Sequence, residues 1–171
     1  DGSITEGQQL IQHEGKGPNE ARQEKAHVHM VAFSPDKKFV LANDLGLDKV
    51  FIYKYNPGAA HEILTLKGSV DVKKGSGPRH LTFSKDGKFV YLIQELDATL
   101  TTFSFDTAGN LKLLSEKSIL AKGFTGGTGA AAIKISPDGK FLYVTDRVDA
   151  NNITVYKIIK NGGLELVEQV E

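Results

Sequence analysis

Short apolar segments and a recurring polar turn alternate along the chain at a nearly constant period. The turns carry aspartates at positions 36, 86 and 138, which are 50 and 52 residues apart. In each copy, Ser, Asp and Lys at fixed spacing stand between two apolar runs. A period of this length suits one four-stranded β-propeller blade, whose repeats run to about 40–50 residues. The three copies are Phe33–Leu41, Phe83–Tyr91 and Ile135–Tyr143.

Each repeat contains four segments with the pattern of β-strands. In the first repeat, Val28–Phe33 precedes the turn, Phe39–Asn43 follows it, and Val50–Tyr53 comes next in an alternating pattern. A further turn leads to a fourth strand, such as Leu164–Val167 in the third repeat. Pro, Asp and Gly supply the turn chemistry between these strands. We therefore predict an all-β fold made of about three four-stranded antiparallel blades of a β-propeller, with a β-sandwich as the alternative.

The repeats divide the chain into parts of one partial propeller domain, residues 1–171. Known propellers have roughly four to eight blades, so three blades leave apolar faces uncovered. We expect either a longer chain with further blades or a homodimer in which two copies cover these faces. The predicted parts are the end of a preceding blade with a connecting loop (1–26) and blades at 27–76, 77–128 and 129–171.

Composition excludes several classes of function. The 21 Lys and Arg balance the 21 Asp and Glu, and no basic run is present, so we predict no nucleic-acid partner. No segment is long and apolar enough to span a membrane, and no signal-peptide pattern is seen, so we predict no membrane partner. The chain has no Cys, which excludes disulfides and thiolate chemistry. We expect a cytoplasmic protein, with the periplasm left open because lack of Cys does not fix the compartment.

Aligning the repeats on their turns brings four candidate residues to one end of the blades. His29 and Arg79 occupy the same position of the first strand, and Glu95 and Arg147 the same position after the second strand. Because these strands are antiparallel and the first lines the central channel, the four side chains are predicted to ring one mouth of it. His27 and His80 are close by in sequence.

These residue types suit the chemistry of anionic substrates. Arg binds carboxylate or phosphate and stabilises an oxyanion, whereas Glu and His transfer protons. The alternative for Arg79 and Glu95 is a plain ion pair between strands. His27 and His29 are spaced for a metal pair, but no carboxylate belongs to the same motif, so we predict no metal.

Two further segments have both a structural and a functional interpretation. Asp44 and Asp48 are candidates for substrate contact, and the alternative is that they stabilise the turn between two strands. The Gly-rich segment 123–129 lacks the Lys-Ser/Thr ending and the helix of a phosphate-binding loop. We predict a flexible loop over the mouth instead.

Several of these segments resemble signature stretches of the seven-bladed lactonase β-propeller family. That family contains the propeller-type 6-phosphogluconolactonases and is similar to the fungal carboxy-cis,cis-muconate cyclases. The resemblance covers nearly the whole chain, with the motifs in the expected order. They are Arg22-Gln23 with His27-Val28-His29, Asp44-Leu45-Gly46-Leu47-Asp48, Gly77-Pro78-Arg79-His80, Gln94-Glu95-Leu96 and Asp146-Arg147.

The resemblance implies an enzyme that hydrolyses a sugar-acid lactone, 6-phosphogluconolactone in the first place, without a cofactor. The alternatives are a muconate-cyclase-like lactonizing enzyme and a non-catalytic binding propeller. Arg79 and Arg147 would hold the anionic substrate, with Glu95 or His29 as general base. One departure is Ala132, where family members often have an acidic residue. His27, His80 and Asp44 are the predicted substrate-binding residues.

Overall fold

Twelve β-strands in three separate sheets account for the architecture of the chain. The computed structural model describes residues 2–4 and 6–171, and these contain no α-helix, only one short 3-10 turn at Lys160–Gly162. Within each sheet every strand pairs antiparallel with its neighbour in sequence. This confirms the predicted fold, a β-propeller arc of three four-stranded blades. The first blade is β1 (Val28–Phe33), β2 (Phe39–Asp44), β3 (Lys49–Tyr55) and β4 (Leu64–Asp71); the second is β5 (Pro78–Phe83), β6 (Phe89–Gln94), β7 (Thr99–Phe105) and β8 (Leu111–Ser118); the third is β9 (Ala130–Ile135), β10 (Phe141–Asp146), β11 (Asn152–Ile158) and β12 (Leu164–Val170).

The recurring turn between the first two strands of each blade is held by one repeated hydrogen-bond network. In the first blade, the Ser34 hydroxyl donates to Asp36 Oδ1 and accepts from the Phe39 amide. The other two blades repeat both bonds with their own Ser, Asp and Phe. The turn also needs a left-handed residue, which is Gly87 in the second blade and Lys37 in the first, with φ of 71° and 57°. Gly adopts this conformation without the steric penalty that Lys37 pays.

The blades pack face to face, and the alternation along β6 shows how. Val90 and Leu92 pack against the first blade, whereas Tyr91 and Ile93 pack against the third. The second blade is therefore buried on both faces, which explains why β6 is an almost continuous apolar run. Burial of each such side chain contributes about 1.5–3 kcal/mol.

The outer faces of the first and third blades expose apolar side chains. Val31 and Phe33 are more than half exposed on the first blade, and Tyr143 and Ile153 are more than one third exposed on the third. Such faces suit contact with further protein. That a second copy of the chain covers them stays a prediction.

Residues 6–26 form no strand and lie against the first blade. The Gln9 side chain bonds both the amide and the carbonyl of Leu64. The assignment of residues 1–26 to a preceding blade stays a prediction, and within that range Asp1 and Thr5 lie outside the described residues. In the described ranges, no helix is long and apolar enough to cross a membrane.

Candidate active site

A β-bulge near the start of the innermost strand recurs in the blades and sets the direction of two site residues. The pairing of β1 with β2 shifts between Val28 and Met30, and the pairing of β5 with β6 shifts between Pro78 and His80. A bulge inserts one extra residue and redirects its side chain. His29 and Arg79 are the extra residues, so the same distortion turns both side chains toward the carboxylate of Glu95.

Glu95 is the centre of the site. It directly follows β6 and is only 4% exposed. Its Oε1 accepts a hydrogen bond from Arg22 Nη2 at 2.5 Å, and its Oε2 accepts one from Arg79 Nε at 2.8 Å. Arg147 Nη2 and His29 Nε2 lie 3.6 and 3.9 Å from Oε2. The structure thus brings together the four residues that blade alignment placed at one mouth.

The ionisation of Glu95 is set by two opposing effects. Burial of the carboxylate acts to raise its pKa, but the hydrogen bonds and charges of Arg22 and Arg79 outweigh burial and lower the pKa below its usual value. Glu95 is therefore an anion at neutral pH, and both of its oxygens already accept from guanidinium groups.

Arg79 is the most enclosed of the arginines, with a side chain 13% exposed. Besides its bond to Glu95, it donates through Nη1 to the Ala131 carbonyl at 2.6 Å, which ties it to the third blade. The same Nη1 lies 3.3 Å from both ring nitrogens of His80. The Asn43 side chain donates to the Arg79 carbonyl and so links its backbone to the first blade.

His29 and His80 form a pair of neutral imidazoles beside these charges. Their ring centroids are 5.1 Å apart with the rings edge to face. Burial, followed by the charge of Arg79, lowers the pKa of His29 below its usual 6.5 and that of His80 to about 4. Both rings are consequently uncharged at neutral pH and able to accept a proton.

Arg22 is the site residue that reasoning from the repeats missed, because it precedes the first blade. A signal for it was nevertheless present: the chain has only three arginines, at positions 22, 79 and 147, among its 21 basic residues. All three lie within 3.6 Å of the same carboxylate. The lysines, by contrast, occur throughout the chain.

A buried network positions Arg22. Its neighbour Gln23 is fully buried and donates to the Leu45 carbonyl and to Asp48 Oδ1. Asp48 also accepts from the amides of Gly75 and Gly77. Asp48 therefore has the structural role that the sequence left open, and it anchors the segment that carries Arg22 to the first two blades.

Asp44 is not brought together with the residues around Glu95, and its predicted role in substrate contact stays a prediction. Its carboxylate is fully buried and accepts from the His27 amide at 2.8 Å. The other oxygen lies 2.6 Å from His13 Nδ1, and the second nitrogen of that ring lies 2.7 Å from the Tyr53 hydroxyl. Asp44 thus serves to fix the start of β1 and the preceding segment.

His27 lies at the rim of the site. Its Nε2 is 3.0 Å from Glu24 Oε1, and both side chains are partly exposed.

A cleft of about 280 Å³ opens beside His27. A larger cleft of about 440 Å³ lies at the opposite end of the blades, among the polar turns and away from the arginines. No group of acidic and histidine side chains suited to a metal is found in residues 2–4 and 6–171. The rim cleft is lined by Ala21, Arg22, Glu24, His27, His29 and Leu45.

The Gly-rich segment 123–129 borders the site from the third blade. The Gly127 amide donates to Asp149, and the Gly129 carbonyl accepts from both the amide and Nε of Arg147. The segment therefore supports Arg147. Ala132 donates its amide to Thr145 and supplies no carboxylate to the site.

Comparison with known proteins finds lactonases that are similar to this chain over nearly its whole length. The family profile described as "Lactonase, 7-bladed beta-propeller" matches residues 1–171. The 6-phosphogluconolactonase of Bacillus subtilis is 36% identical over 99% of this chain and 48% of its own length, and that of Formosa agariphila is 36% identical over 90% and 44%. The structure of the periplasmic gluconolactonase PpgL of Pseudomonas aeruginosa superposes with a TM-score of 0.87 at 37% identity, covering 93% of this chain and 45% of that one. The chain spans about half the length of the curated relatives that it matches.

Proposed function

Because the chain belongs to the seven-bladed β-propeller lactonase family, we propose that the protein hydrolyses a sugar-acid lactone, 6-phosphogluconolactone, to 6-phosphogluconate. The observation that carries the proposal is the convergence of all three arginines on Glu95, beside two neutral histidines. Two relatives named 6-phosphogluconolactonase support the choice of substrate. The site matches the reaction because a phosphorylated lactone needs an anion site, an oxyanion partner and a base.

The proposed reaction uses one water molecule. A base takes a proton from water as its oxygen attacks the lactone carbonyl carbon, and the carbonyl oxygen becomes an oxyanion that a guanidinium stabilises. The bond between the carbonyl carbon and the ring oxygen then breaks, and the base returns the proton to that ring oxygen. The product is an open-chain hydroxy acid, and no cofactor takes part.

We assign the base to His29 in preference to Glu95. Both oxygens of Glu95 accept from arginines, and its lowered pKa makes it a weak base. His29 is neutral, its side chain is 29% exposed and it lines the rim cleft, where a water molecule can reach it, whereas burial lowers the pKa of His80 to about 4. A base whose pKa lies near the working pH is the more effective one. Glu95 is then the residue that positions the arginines.

Arg79 is the residue we assign to the oxyanion. Its bonds to Glu95 and the Ala131 carbonyl fix the guanidinium, and its second terminal nitrogen has no recorded partner among the described residues. A fixed donor of this kind stabilises a developing charge without reorganising. We also assign substrate contacts to His80, whose ring nitrogens lie 3.3 Å from Arg79 Nη1, and to His27 at the rim.

The experiment that tests this function measures acid release from freshly prepared 6-phosphogluconolactone in a pH-stat. The rate without protein is subtracted, because this lactone opens spontaneously. We expect the rate of acid release to be clearly higher with the protein than without it. In a second assay, we expect no change in the absorbance of 3-carboxy-cis,cis-muconate. An equal rate of acid release with and without the protein would contradict the proposal. Loss of muconate absorbance would favour the lactonizing alternative, and 6-phosphogluconate binding without turnover would favour a binding propeller.

We further propose that the protein acts in the cytoplasm, where a phosphorylated sugar acid is retained because its charges oppose passage through a bilayer. The periplasmic location in the name of the Pseudomonas aeruginosa neighbour belongs to that protein. Immunoblotting of osmotic-shock fractions tests the proposal. Recovery of the protein with a cytoplasmic marker is expected, and recovery in the shock fluid would contradict it.

A further inference from the structure

The three arginines at the site are unequal in the way their donors are occupied. Arg79 is 13% exposed and uses its Nε and Nη1 on protein acceptors. Arg22 and Arg147 have side chains 49% and 53% exposed. A guanidinium carries five N–H donors, and among residues 2–4 and 6–171 the Arg22 side chain donates to one acceptor, Glu95. Arg22 therefore presents most of its donors to the cleft.

The charges at the site are also unbalanced. Three guanidinium groups face the single carboxylate of Glu95, and in the described part of the chain no second carboxylate pairs with any of them. The neighbouring imidazoles of His29 and His80 are neutral at pH 7 because their pKa values are lowered. Glu24, which also lines the rim cleft, lies against His27 and pairs with none of the three arginines. Two guanidinium charges consequently remain without a carboxylate partner, which matches the charge of a phosphate monoester near neutral pH.

The backbone around Arg22 is fixed and its guanidinium is bonded to Glu95, so this donor group is ordered before a ligand arrives. The Asn19 carbonyl accepts from the amides of Arg22 and Gln23, which closes a tight turn. Gln23 is fully buried and bonded to Asp48. A donor that is already ordered loses less conformational entropy on binding an anion than a free side chain does.

Resting on the proposed function, we propose that Arg22 is a specificity-determining residue that binds the phosphate of the substrate and selects phosphorylated lactones over neutral ones. Its fork geometry suits two phosphate oxygens. Arg147 faces the same carboxylate from the third blade and supplies the opposing side of the phosphate site. Arg79 remains the donor to the reacting carbonyl group.

The test compares kcat/KM for 6-phosphogluconolactone and glucono-1,5-lactone in the wild type and in Arg22→Gln. Loss of a charge-assisted, two-pronged contact is expected to lower kcat/KM for the phosphorylated lactone about 10- to 100-fold, chiefly through KM. The value for the neutral lactone should fall by a clearly smaller factor, because only the bond from Arg22 to Glu95 is lost with that substrate. Arg22→Lys keeps the charge and is expected to recover part of the loss. Lys25→Gln removes one charge from an exposed position in the same segment and should leave the ratio unchanged.

Two outcomes would overturn the proposal. Equal losses for both lactones would mean that Arg22 only supports Glu95, and an unchanged ratio would mean that it has no part in selection. Isothermal titration with 6-phosphogluconate and with gluconate separates this proposal from the lactonase function, since it needs no turnover. If Arg22→Gln binds 6-phosphogluconate more weakly than the wild type does but binds gluconate equally well, the phosphate contact is supported even if neither lactone is hydrolysed. Equal binding of 6-phosphogluconate by wild type and variant contradicts it.

Discussion

Replacing Glu95 with Gln tests whether this carboxylate holds the site together or carries out the chemistry. Glu95 is 4% exposed and accepts from Arg22 and Arg79. The amide in Glu95→Gln keeps the size of the side chain but removes the charge, and its NH₂ group faces one guanidinium with a donor in place of an acceptor. We expect a less stable fold together with a loss of activity.

The size of the effect follows from the exposure of each arginine. Removing one partner of a buried ion pair destabilises a protein by about 3–5 kcal/mol. Only Arg79, at 13% exposed, would be left as a buried unpaired charge, because Arg22 and Arg147 are about half exposed and water can solvate them. We therefore expect the lower end, about 3 kcal/mol. For a chain of this length that corresponds to a fall in Tm of about 6–12 °C.

Urea unfolding followed by circular dichroism measures this change in the free energy of unfolding. Glu165→Gln is the matched control, because it makes the same chemical change at an exposed position of β12 and is expected to shift stability by less than about 0.5 kcal/mol. If Glu95→Gln is as stable as the wild type or more stable, the positioning role is refuted. Unchanged or higher stability together with lost turnover would instead indicate that Glu95 is a catalytic base, because a catalytic group is often held in an arrangement that destabilises the fold.

The same variant has a signature in the dependence of stability on pH. The pKa of Glu95 is lower in the folded chain than its usual value of 4.5. Its carboxylate therefore stabilises the fold above pH 4.5, and this contribution is lost as the pH falls through the lowered pKa. We expect the stability difference between wild type and Glu95→Gln to shrink as the pH falls below 4.5. A difference that is constant from pH 7 to 3 would contradict the assignment.

Three further predictions concern the supports of the site and its base. Asp48→Ala leaves the buried donors of Gln23 and two glycine amides without an acceptor, and it should lower the free energy of unfolding by about 3 kcal/mol or more in urea titrations. Gly46→Ala would place a Cβ 1.9 Å from the Lys25 carbonyl and should destabilise by about 3 kcal/mol, whereas a Cβ at Gly58 meets nothing within 4 Å, so Gly58→Ala should be tolerated. If His29 is the base, kcat/KM should fall as the pH drops below 6.5, because protonation removes the acceptor. A pH profile of His29→Gln that keeps this acid limb would contradict the role.

The fold was predictable because the same turn sequence, flanked by strand-like segments, occurs three times in the chain. Each turn combines Ser, Asp and an aromatic or aliphatic residue at one spacing, and the structure uses the same bonds each time. Strand periodicity and antiparallel pairing follow from local sequence. The same logic brought His29, Arg79, Glu95 and Arg147 to one place, because equivalent positions in neighbouring blades must be neighbours in space.

What lies outside the repeat was not predictable in this way. Arg22 reaches the site from a segment without regular structure, and its position depends on the buried contacts of Gln23 with the first blade. The buried position of Asp44 was also not predictable, because sequence places a residue at the end of a strand without showing whether its carboxylate faces the cleft or the interior. Its partner, His13, comes from 31 positions earlier in the chain, and no local pattern reports such a contact.

The most direct test of the site is the hydrolysis of 6-phosphogluconolactone by Arg79→Met beside Lys157→Met, both as the full-length protein and both verified as folded by circular dichroism. Lys157 is an exposed cation on β11 of the third blade, the blade whose Ala131 carbonyl Arg79 contacts. If the arginine cluster is the catalytic centre, Arg79→Met should lose at least about 100-fold of the protein-dependent rate, as expected for removal of an oxyanion donor, and Lys157→Met should lose little. An Arg79→Met protein that hydrolyses the lactone at the wild-type rate would place the chemistry elsewhere and contradict the account.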